Sequence, residues 1–290
     1  MEQRIDRENM TTLYGLIVFI WASGCFFHYL IKGSRQKVQC VTPWSISWLN
    51  FGIFMWAVLF LMLMVPNVAV WILAKLGMNF NFYGWNEVVG GFATQLILCS
   101  FFIYLVVNKE DFYKRLGLFS QEKTWTLFRQ AFYQLGVTLP LVWVSLLMWF
   151  GIMSFWSRIG YPVEQSPQLL IKLMGEIHGV TFKVIVFIFA VVIAPITEEL
   201  LFRGGIYRFL KGKINPLFAL ILSSLLFSCG HFSLTTFLPL FLLGMALGRI
   251  YEQTGDLRIS IFMHALFNFN TIFLLILNPE LSKVMQSNLG

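Results

Sequence analysis

Eight apolar runs of membrane-spanning or near-spanning length divide the chain: Thr12–Ile31, Trp48–Trp71, Val88–Val107, Ala131–Trp156, Phe182–Arg203, Pro216–Phe232, Phe237–Tyr251 and Ile259–Leu277. Runs of this length read as helices that cross a bilayer. The fold class that follows is all-α, a polytopic membrane helix bundle of about eight transmembrane helices. Composition agrees: the chain is 58% hydrophobic and 12% charged, against about 25% charged in a soluble domain. The stretch Met1 to Met10 is polar, and the first apolar run is long enough to span rather than be cleaved as a signal peptide. Pro66 in the second run is tolerable where neighbouring helices satisfy the backbone.

The formal charge of +7 does not call for a nucleic acid, because Lys and Arg in a membrane protein mainly set orientation. The connections after the first, third, fifth and seventh runs hold fourteen of the Lys and Arg residues, and the other side holds seven. The positive-inside rule then places the first set in the cytoplasm and both termini outside. The four cysteines, Cys25, Cys40, Cys99 and Cys229, form no C-x-x-C pair, so neither a zinc framework nor a redox pair is expected from them. Gly244 and Gly248 have the spacing of a close helix contact, and no oligomeric state follows from it. Two stretches, one from Ser166 to Val180 and one from Asn108 to Gln130, read as interfacial connections. No repeat or linker divides the chain. Residues 1–160 read as accessory helices and 161–290 as the core that carries chemistry, within one membrane domain.

Function enters at the polar residues that interrupt the last four runs. Glu198 and Glu199 are adjacent in an otherwise apolar stretch, where a charge at the centre of a membrane helix costs about 3 kcal/mol or more. Packing repays none of this, and the default reading is a functional site. Glu199 and Arg203 are four apart, on one helical face, with the acid N-terminal to the base. The pair would hold Glu199 in place and leave Glu198 to handle protons. His264 and Asn268 are also four apart and project from one face. An antiparallel hairpin about Gly212–Pro216 sets Glu198 opposite His231, and His264 enters from the same side. All three clusters then meet at one depth. A lone membrane His is commonly an interhelical hydrogen-bonding group, and His28 is read that way.

The three patterns Glu198-Glu199-x-x-x-Arg203, Phe227-x-x-x-His231 and His264-x-x-x-Asn268 occur in this order, with Phe202 and Gly204 around the first. Together they resemble the signature of the CAAX prenyl endopeptidase and bacteriocin-processing family (CPBP or Abi) of intramembrane proteases. The resemblance covers about a third of the chain, and the first four runs carry no motif. It implies an intramembrane endopeptidase that cuts a peptide bond near the C-terminus or membrane end of a membrane-delivered protein or peptide. The expected partners are that substrate, lipidated or not, and membrane lipids, with no nucleic acid.

Peptide hydrolysis needs an activated water and a home for charge on the carbonyl oxygen. Glu198 and His231 are assigned to the water, and His264 and Asn268 to the oxyanion, a division the resemblance also implies. A zinc held by His231, His264 and Glu198 is the alternative, but no His-Glu-x-x-His occurs and Asn268 is a poor zinc ligand. A metal-free glutamate mechanism with no cofactor is therefore favoured. Two other classes stand beside it: a non-catalytic scaffold of the same fold, and a proton-coupled transporter, which should show inverted repeats.

Overall fold

The structure, a computed structural model, describes residues 2–33, 41–77, 85–109, 116, 118, 122–160 and 180–278. Among the described residues there are eight helices and no strand. They are α1 (Glu2–Lys32), α2 (Trp48–Lys75), α3 (Trp85–Asn108), α4 (Thr124–Arg158), α5 (residues 180–211), α6 (Pro216–Cys229), α7 (Phe237–Thr254) and α8 (Leu257–Leu277). Six are long and apolar enough to cross a membrane: the apolar part of α1, with α2, α3, α4, α5 and α8. The chain is a polytopic helical membrane protein. The helix α4 begins at Thr124, one turn or more before the expected Ala131, and takes in Trp125 and the buried Leu127. The expected interfacial stretch before Val180 lies outside the described residues, as do Cys40 and most of residues 110–121.

Capping chemistry sets the boundaries near the site. Asn215 accepts a hydrogen bond from Leu217 N, and Pro216 follows at the first helical position of α6. Asp256 accepts from Arg258 N to start α8. The turn between α7 and α8 uses Gly255 at φ 67°, a left-handed conformation that glycine adopts without a Cβ penalty.

Two helices fall short of the membrane core. At 1.5 Å per residue, the 14 residues of α6 extend about 21 Å, against about 30 Å of hydrocarbon. The α6–α7 loop therefore turns back before the far face. Irregular backbone at such depth survives only where protein or a wet cavity covers it. Here it is stitched: Ser228 Oγ donates to Phe237 O, Ser233 and Thr235 share a hydrogen bond, and Trp149 of α4 donates Nε1–H to Leu234 O at 2.6 Å.

The helix α5 runs through two π-helical segments, Phe189–Ile193 and Leu200–Tyr207, on either side of Ala194–Glu199. Such widened turns are frequent at functional sites. Around it, Phe54, Leu98 and Phe102 of α2 and α3 pack with Leu200, Leu201 and Ile206, and α8 lies against its first half. The helix α4 packs on α1, α7 and α8. His28 is hydrogen-bonded to Tyr133 OH at 2.9 Å, an interhelical bond of the kind expected.

Gly244 and Gly248 face α6 within the same chain. A Cβ on Gly244 would stand 3.0 and 3.2 Å from Ser224 Cβ and Cα, whereas one on Gly248 would meet only the tip of Leu220. Gly244→Ala should therefore cost about 1–3 kcal/mol, as overpacking does. Gly248→Ala should be near neutral, because Leu220 can rotate away and alanine gains about 1 kcal/mol of helix propensity. Thermal melts of the two purified variants compare them directly.

Candidate active site

The hairpin register expected from the sequence holds. Phe202 of α5 packs edge-on to Phe227 of α6 at 5.3 Å between centroids. One turn further, Glu198 Oε2 stands 3.8 Å from His231 Nε2. His231 lies just past the end of α6, after Gly230. From α8, His264 brings Nε2 to 3.7 Å from the same carboxylate oxygen. Glu198 Oε2 is buried and has no hydrogen-bond partner, while the Glu198 side chain as a whole keeps 21% of its surface exposed. Three of the expected residues thus converge on one oxygen at distances beyond direct hydrogen bonding but suited to a bridging water.

Glu199, one residue away, has the opposite character. It is fully buried, and both its oxygens are taken. Oε1 accepts from Arg203 Nη1 and from His264 Nδ1, each at 2.9 Å, and Oε2 accepts from the Ser260 hydroxyl. Arg203, equally buried, gives Nη2–H to Gly244 O at 3.1 Å and lays its guanidinium 4.4 Å from the centre of the Phe227 ring. An ion buried in this way is held only because each charge and each hydrogen bond is answered.

The same contacts settle which imidazole nitrogens face Glu198. The acceptor at His264 Nδ1 is a carboxylate, so that nitrogen carries the proton. At His231, Nδ1 lies 2.8 Å from Phe227 O, a carbonyl that can only accept. With Nδ1 as the donor, each ring in its singly protonated form turns an Nε2 lone pair toward Glu198. Phe227, fully buried, is the wall between them, with its ring 4.8 Å from His231 and 5.6 Å from His264.

Asn268 is placed differently from the other motif residues. Its Nδ2 donates at 2.8 Å to Ala190 O, inside the first π-helical segment of α5. One amide hydrogen is committed there. Two further residues belong to the site: Ser260, which no motif marks, and Gly244, which the sequence marks only by its spacing to Gly248. Ser260 lies four residues before His264, so Ser260, His264 and Asn268 share one face of α8. That spacing was the available signal for Ser260. The contact of Gly244 O with Arg203 depends on how α7 lies across α5 and left no trace in the sequence.

Among the described residues, no three His, Cys, Asp or Glu side chains form a group that could hold a metal ion. The distances of 3.7 and 3.8 Å to Glu198 Oε2 exceed the roughly 3.4 Å between donors of a tetrahedral zinc. As placed, the two imidazoles stand wider from the Glu198 oxygen than ligands of one tetrahedral zinc would.

Comparison with known proteins bears on the same segment. Residues 180–270 match the family model of the type II CAAX prenyl endopeptidase Rce1-like proteins. The resemblance read from the three motifs holds over that segment. A Bacillus subtilis (strain 168) protein named "Putative membrane peptidase YdiL" is 32% identical over 77 residues, 27% of this chain and 32% of that protein. The match thus spans about a third of that relative's length. No solved structure matches the chain.

The two neighbouring glutamates should separate in a stability experiment. Glu199→Gln leaves Arg203 buried and uncompensated, at a cost of roughly 3–5 kcal/mol, whereas Glu198→Gln alters an oxygen that makes no hydrogen bond. The melting temperature should fall well below wild type for the first variant and stay close to it for the second.

Proposed function

We propose that the protein is an intramembrane endopeptidase that uses a glutamate-activated water to cut a membrane-delivered protein or peptide. The observation that carries this reading is the convergence of His231 Nε2 and His264 Nε2 on the buried Oε2 of Glu198, which has no hydrogen-bond partner. The match to the Rce1-like family over residues 180–270 supports a peptidase over a scaffold or a transporter. A scaffold needs the Glu199–Arg203 clasp but has no use for a second carboxylate left unsatisfied.

A water between Glu198 and His231 gives a proton to the carboxylate as its oxygen attacks the scissile carbonyl carbon. The proton then passes from Glu198 to the leaving amine as the C–N bond breaks, which regenerates the carboxylate. Charge on the carbonyl oxygen is met on the α8 side. His264 borrows at Nε2 the proton that Glu198 has taken from the water, donates that Nε2–H there while the tetrahedral intermediate lasts and returns it before the C–N bond breaks, and Asn268 donates the amide hydrogen not given to Ala190. Glu199 is excluded from proton transfer by its three hydrogen bonds and serves as the fixed anion behind His264. The Lys and Arg bias of the loops puts this site toward the cytoplasm.

Membranes carrying wild-type protein and membranes carrying Glu198→Gln should differ in the C-terminal or membrane-proximal peptides that mass spectrometry detects. Products absent with Glu198→Gln and present with wild type identify the substrates. Identical peptide sets overturn the endopeptidase reading. With a substrate in hand, activity should persist under a membrane-permeant chelator, and purified protein should hold less than one zinc per chain. Loss of activity that added zinc restores would replace the glutamate mechanism with a metal one while leaving the peptidase in place.

A further inference from the structure

Ser260 occupies the first turn of α8, is fully buried, and points its hydroxyl at Glu199 Oε2, with Leu247 O a more distant second acceptor at 3.3 Å. A buried serine in a helix ordinarily returns its hydrogen to the carbonyl one turn earlier, as Ser224 does with Leu220 O. Ser260 instead spends it across the helix interface on the carboxylate that also binds Arg203 and His264. Its partner oxygen is the one these two leave open, since both bind Oε1.

A carboxylate gripped only at Oε1 can turn about its terminal bond, which is broad and roughly two-fold. Such a turn exchanges the oxygens and tilts the acceptor away from His264 Nδ1. A third bond on Oε2 removes this freedom. We infer that Ser260 is a positioning residue: through Glu199 it holds the His264 ring in the Nδ1–H form, with Nε2 aimed at Glu198. The logic is that of a buried acid that fixes the tautomer and orientation of a histidine, with a hydroxyl added to fix the acid. The link to turnover rests on the endopeptidase reading. The link to the tautomer does not.

The test is nitrogen NMR of protein labelled at histidine, with the His264 signals assigned by their loss in His264→Gln. Wild-type His264 is expected to carry its proton on Nδ1. Ser260→Ala should introduce the Nε2–H form and lower kcat about tenfold at unchanged KM. Ser260→Thr, which keeps the hydroxyl, should restore both. An Nε2–H ring in wild type overturns the inference without any variant. So does Ser260→Ala with the tautomer unchanged, whether or not its melting temperature falls, because Ser260 is then a packing residue only. If wild-type protein cleaves no peptide, the endopeptidase reading fails, and the tautomer measurements still decide the role of Ser260.

Discussion

The ion pair between Glu199 and Arg203 lies where no water can reach it, and four helices arrange themselves around its neutralisation. Both partners come from α5. The groups that complete their hydrogen bonding come from α7, through Gly244 O, and from α8, through Ser260 and His264. The α6 residue Phe227 supplies an aromatic face for the guanidinium. A buried pair of this kind gives little net stability, because desolvation consumes most of the Coulombic gain. What it gives is registry: a shift of one residue in α5, α7 or α8 would leave a charge or a polar hydrogen unanswered, and one in α6 would take the Phe227 ring from the guanidinium.

That registry explains why irregular backbone is tolerated in the interior. The π-helical turns of α5 lie on either side of the turn that carries Glu198 and Glu199. In the first, a carbonyl inside the widened turn is met by Asn268 from α8. The α6–α7 loop, which presents His231, is similarly held by serine and threonine hydroxyls and by Trp149. In the second π-helical turn Ser223 Oγ of α6 donates to Phe202 O at 3.0 Å, so each departure from regular geometry is met by a hydrogen bond, as the low dielectric requires.

The helices that carry no motif have definite work in this arrangement. The extended segment before α2 is drawn across the end of α5. There Arg208 Nε donates to Thr42 O at 2.9 Å, Lys211 Nζ to Val41 O at 2.8 Å, and Trp44 N to Arg208 O at 3.0 Å. Phe51 stacks on Phe209 with centroids 3.7 Å apart. The helix α4 reaches the loop that bears His231. Among the described residues, α2, α3, α4 and the segment before α2 thus brace the site.

The sequence by itself determined the helical membrane class, the approximate helix limits, and the opposition of Glu198 to His231. Apolar length, the four-residue spacing and the position of the Gly212–Asn215 turn are local properties, and helix geometry converts them directly into distance. It also marked Glu199 and Arg203 as a pair. It told Glu198 from Glu199 by that pair, but not that Glu199 is saturated by two further bonds while Glu198 Oε2 is buried with no hydrogen-bond partner. That distinction depends on Ser260 and His264 arriving from a helix sixty residues away. Nor did it place Asn268 on Ala190 or turn the Gly-x-x-x-Gly face inward, because the π-helical turns and the approach of α6 to α7 are settled only when whole helices pack. Spacing along a helix fixes which residues share a face; the partner that face meets is decided by tertiary packing.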